Sequence, residues 1–115
     1  MKIRDILSIL DAELLTQDAD LDREVHTACG SDMMSDVLAF VKDQSVLLTG
    51  LNNPQVVRTA DMMDMVCIVF VRGKKPDDAI LALARQREMA VLCTGHTMFT
   101  ACGLLYSHGL RGGVH

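Results

Sequence analysis

The run Met65-Val66-Cys67-Ile68-Val69-Phe70-Val71 constrains the fold more than any other feature of this chain. It is apolar at every position, rich in β-branched residues, and stopped by Arg72-Gly73. A strand with one wet face alternates polar and apolar residues. A continuous run predicts a strand buried on both faces, the habit of a parallel sheet covered by helices. Two shorter runs resemble it: Val46 to Thr49, stopped by Gly50, and Ala90 to Thr94, closed by Gly95.

Helical spacing fills the intervals. Asn52-Asn53-Pro54 opens a helix whose inner face is Val56, Val57, Ala60 and Met63. Asn supplies a capping oxygen, and Pro suits a first turn because its missing N–H has no partner there anyway. Pro76 opens another helix, with Asp77 and Asp78 in its first turn and Ala79, Ile80, Leu83 and Ala84 facing inward. Met98, Ala101, Cys102 and Leu105 mark the last helix, with Gly109 just past its end. The order from residue 46 is strand, helix, strand, helix, strand, helix. Parallel strands need such crossovers, so the chain reads as an α/β three-layer sandwich around a small, mainly parallel sheet.

The first 45 residues add an N-terminal helix on Ile3, Ile6, Leu7 and Leu10, and short edge strands at Ala12 to Thr16 and Glu24 to Cys29. Gly30 is expected to break the second strand. Ser31 or Asp32 caps a helix carrying Met34, Val37, Leu38 and Val41, which Asp43-Gln44 ends. Residues 111–115 read as a loose tail. With no repeat or linker, residues 1–115 form a single domain with its core over about 22–110.

At 50% hydrophobic residues in 115, the chain can bury one core and is not disordered. Its apolar runs are far below membrane-span length. A formal charge of −4 with no basic run, and only 3% aromatic residues, argue against nucleic acid. No signal peptide is legible at Met1-Lys2-Ile3-Arg4-Asp5. The four cysteines, Cys29, Cys67, Cys93 and Cys102, form no CxxC pair and read as reduced thiols of a cytoplasmic protein.

Ligands of open parallel sheets bind beyond the carboxyl ends of the strands. The residues expected there are Thr49, Gly50, Asn52 and Asn53 after the first strand of the series, Arg72 and Gly73 after the second, and Thr94, Gly95, His96 and Thr97 after the third. Gly30-Ser31-Asp32 can join them. The two Thr-Gly loops, at Thr49-Gly50 and Thr94-Gly95, each bring backbone N–H groups to a helix start, which suits an anion, and Arg72 or Lys74 can add positive charge. The competing reading is ordinary turn and cap chemistry. The P-loop, G-x-G-x-x-G and G-x-S-x-G motifs are absent. His26, His96, His108 and His115 show no ligand spacing, so neither a metal nor a cofactor is expected. Cys29, beside a helix start, is the one thiol placed for a lowered pKa, although a core or turn role is the simpler reading. Eight methionines are many, and Met33 and Met62 fall off the apolar faces of their helices, as subunit-contact residues would.

In order along the chain, Asp22-Arg23-Glu24-Val25, Gly30-Ser31-Asp32-Met33-Met34-Ser35, Val46-Leu47-Leu48-Thr49-Gly50, Val66 to Gly73, Lys75-Pro76 and Met89-Ala90-Val91-Leu92 resemble the DRTGG domain. This small α/β module is similar to the non-catalytic N-terminal domain of HPr kinase/phosphorylase and to a domain of CBS-containing pyrophosphatases. The chain departs from the motif that names the family. Leu51-Asn52-Asn53 stands after Gly50 in place of Asp-Arg-Thr, and Arg72-Gly73 stands in place of the paired glycines. The resemblance implies a non-catalytic regulatory or dimerisation domain. The expected partners are a second copy of the chain, a small anionic metabolite or nucleotide, or another protein. The rivals are a ligand-free assembly subunit of a metabolic or redox complex and, behind it, a small group-transfer enzyme using His96 and Cys29.

Overall fold

The computed structural model describes residues 1–40 and 43–112. Five helices and five strands follow one another: α1 (Ile3–Ile9), β1 (Glu13–Leu14), β2 (Thr27–Gly30), α2 (Met34–Leu38), β3 (Ser45–Thr49), α3 (Gln55–Met62), β4 (Cys67–Phe70), α4 (Asp78–Gln86), β5 (Ala90–Cys93) and α5 (Met98–Ser107). They form one sheet in the order β1-β5-β4-β3-β2. The strands from β2 to β5 are parallel, each beside its predecessor, and β1 runs antiparallel on the far edge.

Alternation along each strand divides the core in two. Leu47, Ile68, Phe70 and Val91 face Val37 of α2, Val56, Val57 and Ala60 of α3, and Ile80 and Ala84 of α4. Val46, Leu48, Cys67, Val69 and Leu92 face Ile3, Ile6 and Leu10 on the α1 side and Ala101 and Leu105 of α5. All three crossover helices thus share one face, as crossovers of one hand between successive neighbours require. The two ends of the chain cover the other. The expected three layers are present, and Cys67 to Phe70 is fully buried on both faces.

The first residues pack on their own domain: Ile3 N–H donates to Arg23 O at 3.1 Å and Val25 N–H to Met1 O at 2.6 Å. Beyond β1 the expected strand continues only through Leu15 N–H to Val91 O at 2.8 Å and the Thr16 hydroxyl, which accepts from Val91 N at 3.0 Å.

Five local expectations need correction. Gly30 does not break β2 but ends it, paired with Leu48. A side chain there would start 2.8 Å from Cys102 Sγ and 3.2 Å from Met98 Sδ, so glycine is kept for close approach of α5. Helix α2 stops at Leu38, well before Asp43-Gln44, and Leu38 is exposed; Val41 lies outside the described residues. Neither Ser31 nor Asp32 caps α2, whose N-cap is Met33. In α4 the cap is Asp77, whose carboxylate accepts from Ile80 N at 3.0 Å. That register turns Ala79 to solvent and leaves Ile80 and Ala84 as the buried face. Finally, the tail is not loose at its start: Arg111 O accepts from Ala28 N–H at 2.9 Å, fixing residue 111 beside the outer edge of β2. Residues 113–115 lie outside the described residues.

One buried group lacks a partner. The Thr59 hydroxyl, in α3, is fully buried and makes no hydrogen bond among the described residues. An unsatisfied buried hydroxyl costs about 1–3 kcal/mol. Thr59→Val keeps the shape and removes the orphan, so it is expected to stabilise the domain by about 1 kcal/mol, raising Tm by roughly 4 °C in a thermal melt.

Candidate functional site

The loops after β3, β4 and β5 do meet at one end of the sheet, but they split into two halves. At β4 and β5 the outgoing chains leave toward opposite faces, the arrangement that opens a crevice in many α/β proteins. Here backbone pairing closes it. Arg72 N–H donates to His96 O at 2.7 Å and Gly73 N–H to Thr94 O at 2.8 Å. Thr94 is buried, and its hydroxyl donates to Leu10 O at 2.8 Å while accepting from His96 N at 3.4 Å. Thr97 is the N-cap of α5 and accepts from Thr100 N. Thr94, His96 and Thr97 therefore serve the fold, and Gly95 sits exposed among them.

The other half is built around Asp32, named from the sequence only as a helix cap or loop neighbour. Its Oδ1 accepts from Gly50 N–H at 2.7 Å and from the Thr49 hydroxyl at 3.0 Å. Thr49 Oγ1 in turn accepts from Leu51 N–H at 3.1 Å. A carboxylate of the chain itself thus occupies the donors that the sequence assigns to an external anion. Asn53 accepts from Gln55 N–H at 2.8 Å, starting α3, and Asn52 Nδ2 reaches Lys75 O at 3.5 Å.

Arg72 links the halves. It takes the left-handed conformation, φ +59, one position before Gly73 at φ +69. That conformation is strained for a residue with a side chain and unstrained for glycine. It turns the side chain back toward β3: a Cβ at Gly50 would lie 3.0 Å from Arg72 Nη2 and 3.7 Å from Asp32 Oδ1. Gly50 therefore leaves the space the guanidinium uses. Among the described residues Arg72 makes no side-chain hydrogen bond or ion pair and is exposed.

Nothing at this end resembles an activated nucleophile. Burial pushes the thiols of Cys29, Cys67, Cys93 and Cys102 up from their ordinary value. Cys29 lies in the core beneath α2 to α4. No group of three potential ligands gathers for a metal among the described residues, and no helix there is long and apolar enough to cross a membrane. Among the described residues, four surface clefts of about 290 to 730 Å³ avoid the loops after β3, β4 and β5, and one of them reaches Gly30 at the end of β2. The roomiest, beside Asp5, His26, His108 and Leu110, was not anticipated, because it joins residues from both ends of the chain.

The sequence model of the DRTGG domain family matches residues 5–107. The protein belongs to this family. Among solved structures it is similar to the CBS and DRTGG domains of the regulatory region of Clostridium perfringens pyrophosphatase, a complex with the activator diadenosine tetraphosphate. The TM-score is 0.74 at 21% identity over 90% of this chain, which spans 45% of that one. No curated protein matches.

Two predictions follow from this chemistry. Asp32→Ala strands Gly50 N–H and the Thr49 hydroxyl; at this partly exposed position the expected loss is about 1 kcal/mol, with Asp32→Asn recovering roughly half, read by urea denaturation. The raised thiols set an alkaline limit. A thiol whose folded pKa lies above its unfolded value stabilises the fold below the unfolded pKa and loses that contribution as pH climbs. Stability should therefore begin to fall above pH about 9, the ordinary thiol range. Melts from pH 7 to beyond pH 9 check this, and Cys67→Ala, though less stable at neutral pH, should show a shallower alkaline decline.

Proposed function

We propose that this protein is a non-catalytic regulatory module. It works as a cytoplasmic homodimer and takes a small anionic ligand, a nucleotide or acyl phosphate, at the carboxyl ends of β2, β3 and β4. The observation that carries the reading is Arg72: a guanidinium without a hydrogen-bonding or ionic partner among the described residues, in a strained backbone conformation where glycine would be unstrained. Non-glycine residues in such conformations cost about 1–3 kcal/mol and concentrate at ligand clamps. Asn52 and Lys74 stand near enough in sequence to complete the anion's surroundings, and Asp32 holds the Thr49-Gly50 turn rigid beneath it. Family membership and the activator-bound regulatory region of the pyrophosphatase support the same role.

A second reading, a ligand-free assembly module, is favoured by one specific observation. Four backbone donors at these loops, those of Gly50, Gln55, His96 and Thr100, are already taken by Asp32, Asn53, Thr94 and Thr97.

Arg72→Gly separates the two without endangering the fold, because glycine relieves the strained φ. The variant is expected to melt higher than wild type by about 1 kcal/mol of stability. A thermal-shift series with ATP, diadenosine tetraphosphate and acetyl phosphate should raise the wild-type Tm with at least one compound and leave Arg72→Gly unmoved. An equal shift in both proteins removes Arg72 from the site. No shift in wild type sinks the sensor reading and leaves the assembly module.

A further inference from the structure

Helix α5 is the exception among the five helices. Each of α1 to α4 carries at least one charged residue, whereas Met98–Ser107 carries none. A helix without a charged residue is normally covered over most of its surface, yet only Ala101 and Leu105 of α5 are buried, and Thr100 and Ser107 are its exposed polar residues. On the opposite side, at helical spacing i, i+4 and i+7, lie Phe99, Gly103 and Tyr106. Phe99 is 89% exposed and Tyr106 59%. Two of the chain's four aromatic residues, three Phe and one Tyr, thus stand in solvent on one stripe. Arg111 stacks on the Tyr106 ring at 3.9 Å and closes its outer end.

We infer that this stripe is where two copies of the chain pair, α5 antiparallel to α5 about a two-fold axis near Gly103. The inference rests on the homodimer reading above and names its surface. Three features select a second copy as the occupant. First, the stripe is self-complementary: an isologous contact needs each residue to meet its counterpart's partner. Antiparallel pairing sets Phe99 of each helix against Tyr106 of the other. Second, nothing projects between them, because Gly103 has open space where a Cβ would stand, and this lets the helix axes approach. Third, Phe99, Gly103 and Tyr106 are themselves uncharged, and the charge that adjoins them is the Arg111 cation on Tyr106 rather than an acid. Two copies of a chain with net charge −4 repel, and pairing through Met33, which Asp32 and Asp36 flank, would set acid against acid. Four aromatic side chains bury about 150–250 Å² each when fully covered, a substantial part of the roughly 1,600 Å² of a standard interface.

The test is the solution mass of the full chain by light scattering, over a series from low to high micromolar. Phe99→Glu stands on the surface, so its fold is not at issue, and circular dichroism verifies that. The wild type is expected to be a dimer. Phe99→Glu should weaken it by about 30-fold or more, as loss of a central anchor does. Phe99→Glu combined with Tyr106→Lys should restore the dimer, because antiparallel pairing brings each new acid to the other copy's new base. A monomeric wild type overturns both this pairing and the homodimer reading, leaving the stripe to a different protein. A dimer indifferent to Phe99→Glu overturns only this surface. A charge pair that fails to rescue overturns the antiparallel arrangement.

Discussion

Burial of β4 on both faces is the constraint from which the rest of the molecule follows. Every side chain from Cys67 to Phe70 is out of water, and successive ones point to opposite sides of the sheet. Neither side can be left open, since each fully buried large apolar side chain is worth about 1.5–3 kcal/mol. The crossovers cover only one face, because β2 to β5 are laid down in sequence order and their connecting helices stay together. The other face must be roofed by what remains, the chain's two ends. Helix α1 is therefore part of the core, and Ile3, Ile6 and Leu10 pack on the same layer as Ala101 and Leu105.

The same topology decides where chemistry can happen. The natural crevice, between the diverging exits of β4 and β5, is closed by two backbone hydrogen bonds reaching across from Arg72 and Gly73. The backbone there is spent on holding the sheet end together. Asp32 and Arg72, of opposite charge, both approach Gly50. The glycine provides room for the guanidinium, and the carboxylate holds the turn. For a protein of the DRTGG domain family, the left-handed Arg72 accounts physically for the paired glycines the family carries at this point: the turn demands φ > 0, which glycine meets without strain and Arg72 meets at a cost.

Helix α5 adds a second asymmetry. It roofs β3 with Ala101 and Leu105 while presenting an uncharged aromatic stripe outward. The strand-end loop and the α5 stripe share that helix, whose first turn follows His96, the acceptor for Arg72 N–H.

The strands β3, β4 and β5, the order of elements, and the inner faces of α3 and α5 were legible in the sequence. Each rests on a run or a period contained in ten or so residues, where local chemistry and burial agree. The sequence also marked the strand-end loops, because a strand stopped by glycine before a helix start is local. Asp32 was misassigned for the same reason: a local rule makes it a helix cap, and only the arrival of β3 beside β2 gives its carboxylate a better set of donors. Tertiary structure alone decided that Arg72 turns toward Gly50 while its backbone seals the β5 side, that Ala79 faces water, and that α5 keeps an apolar face outside. These are matters of which element lies against which. Burial and hydrogen-bond competition between segments settle them, and those segments meet only when the sheet has closed.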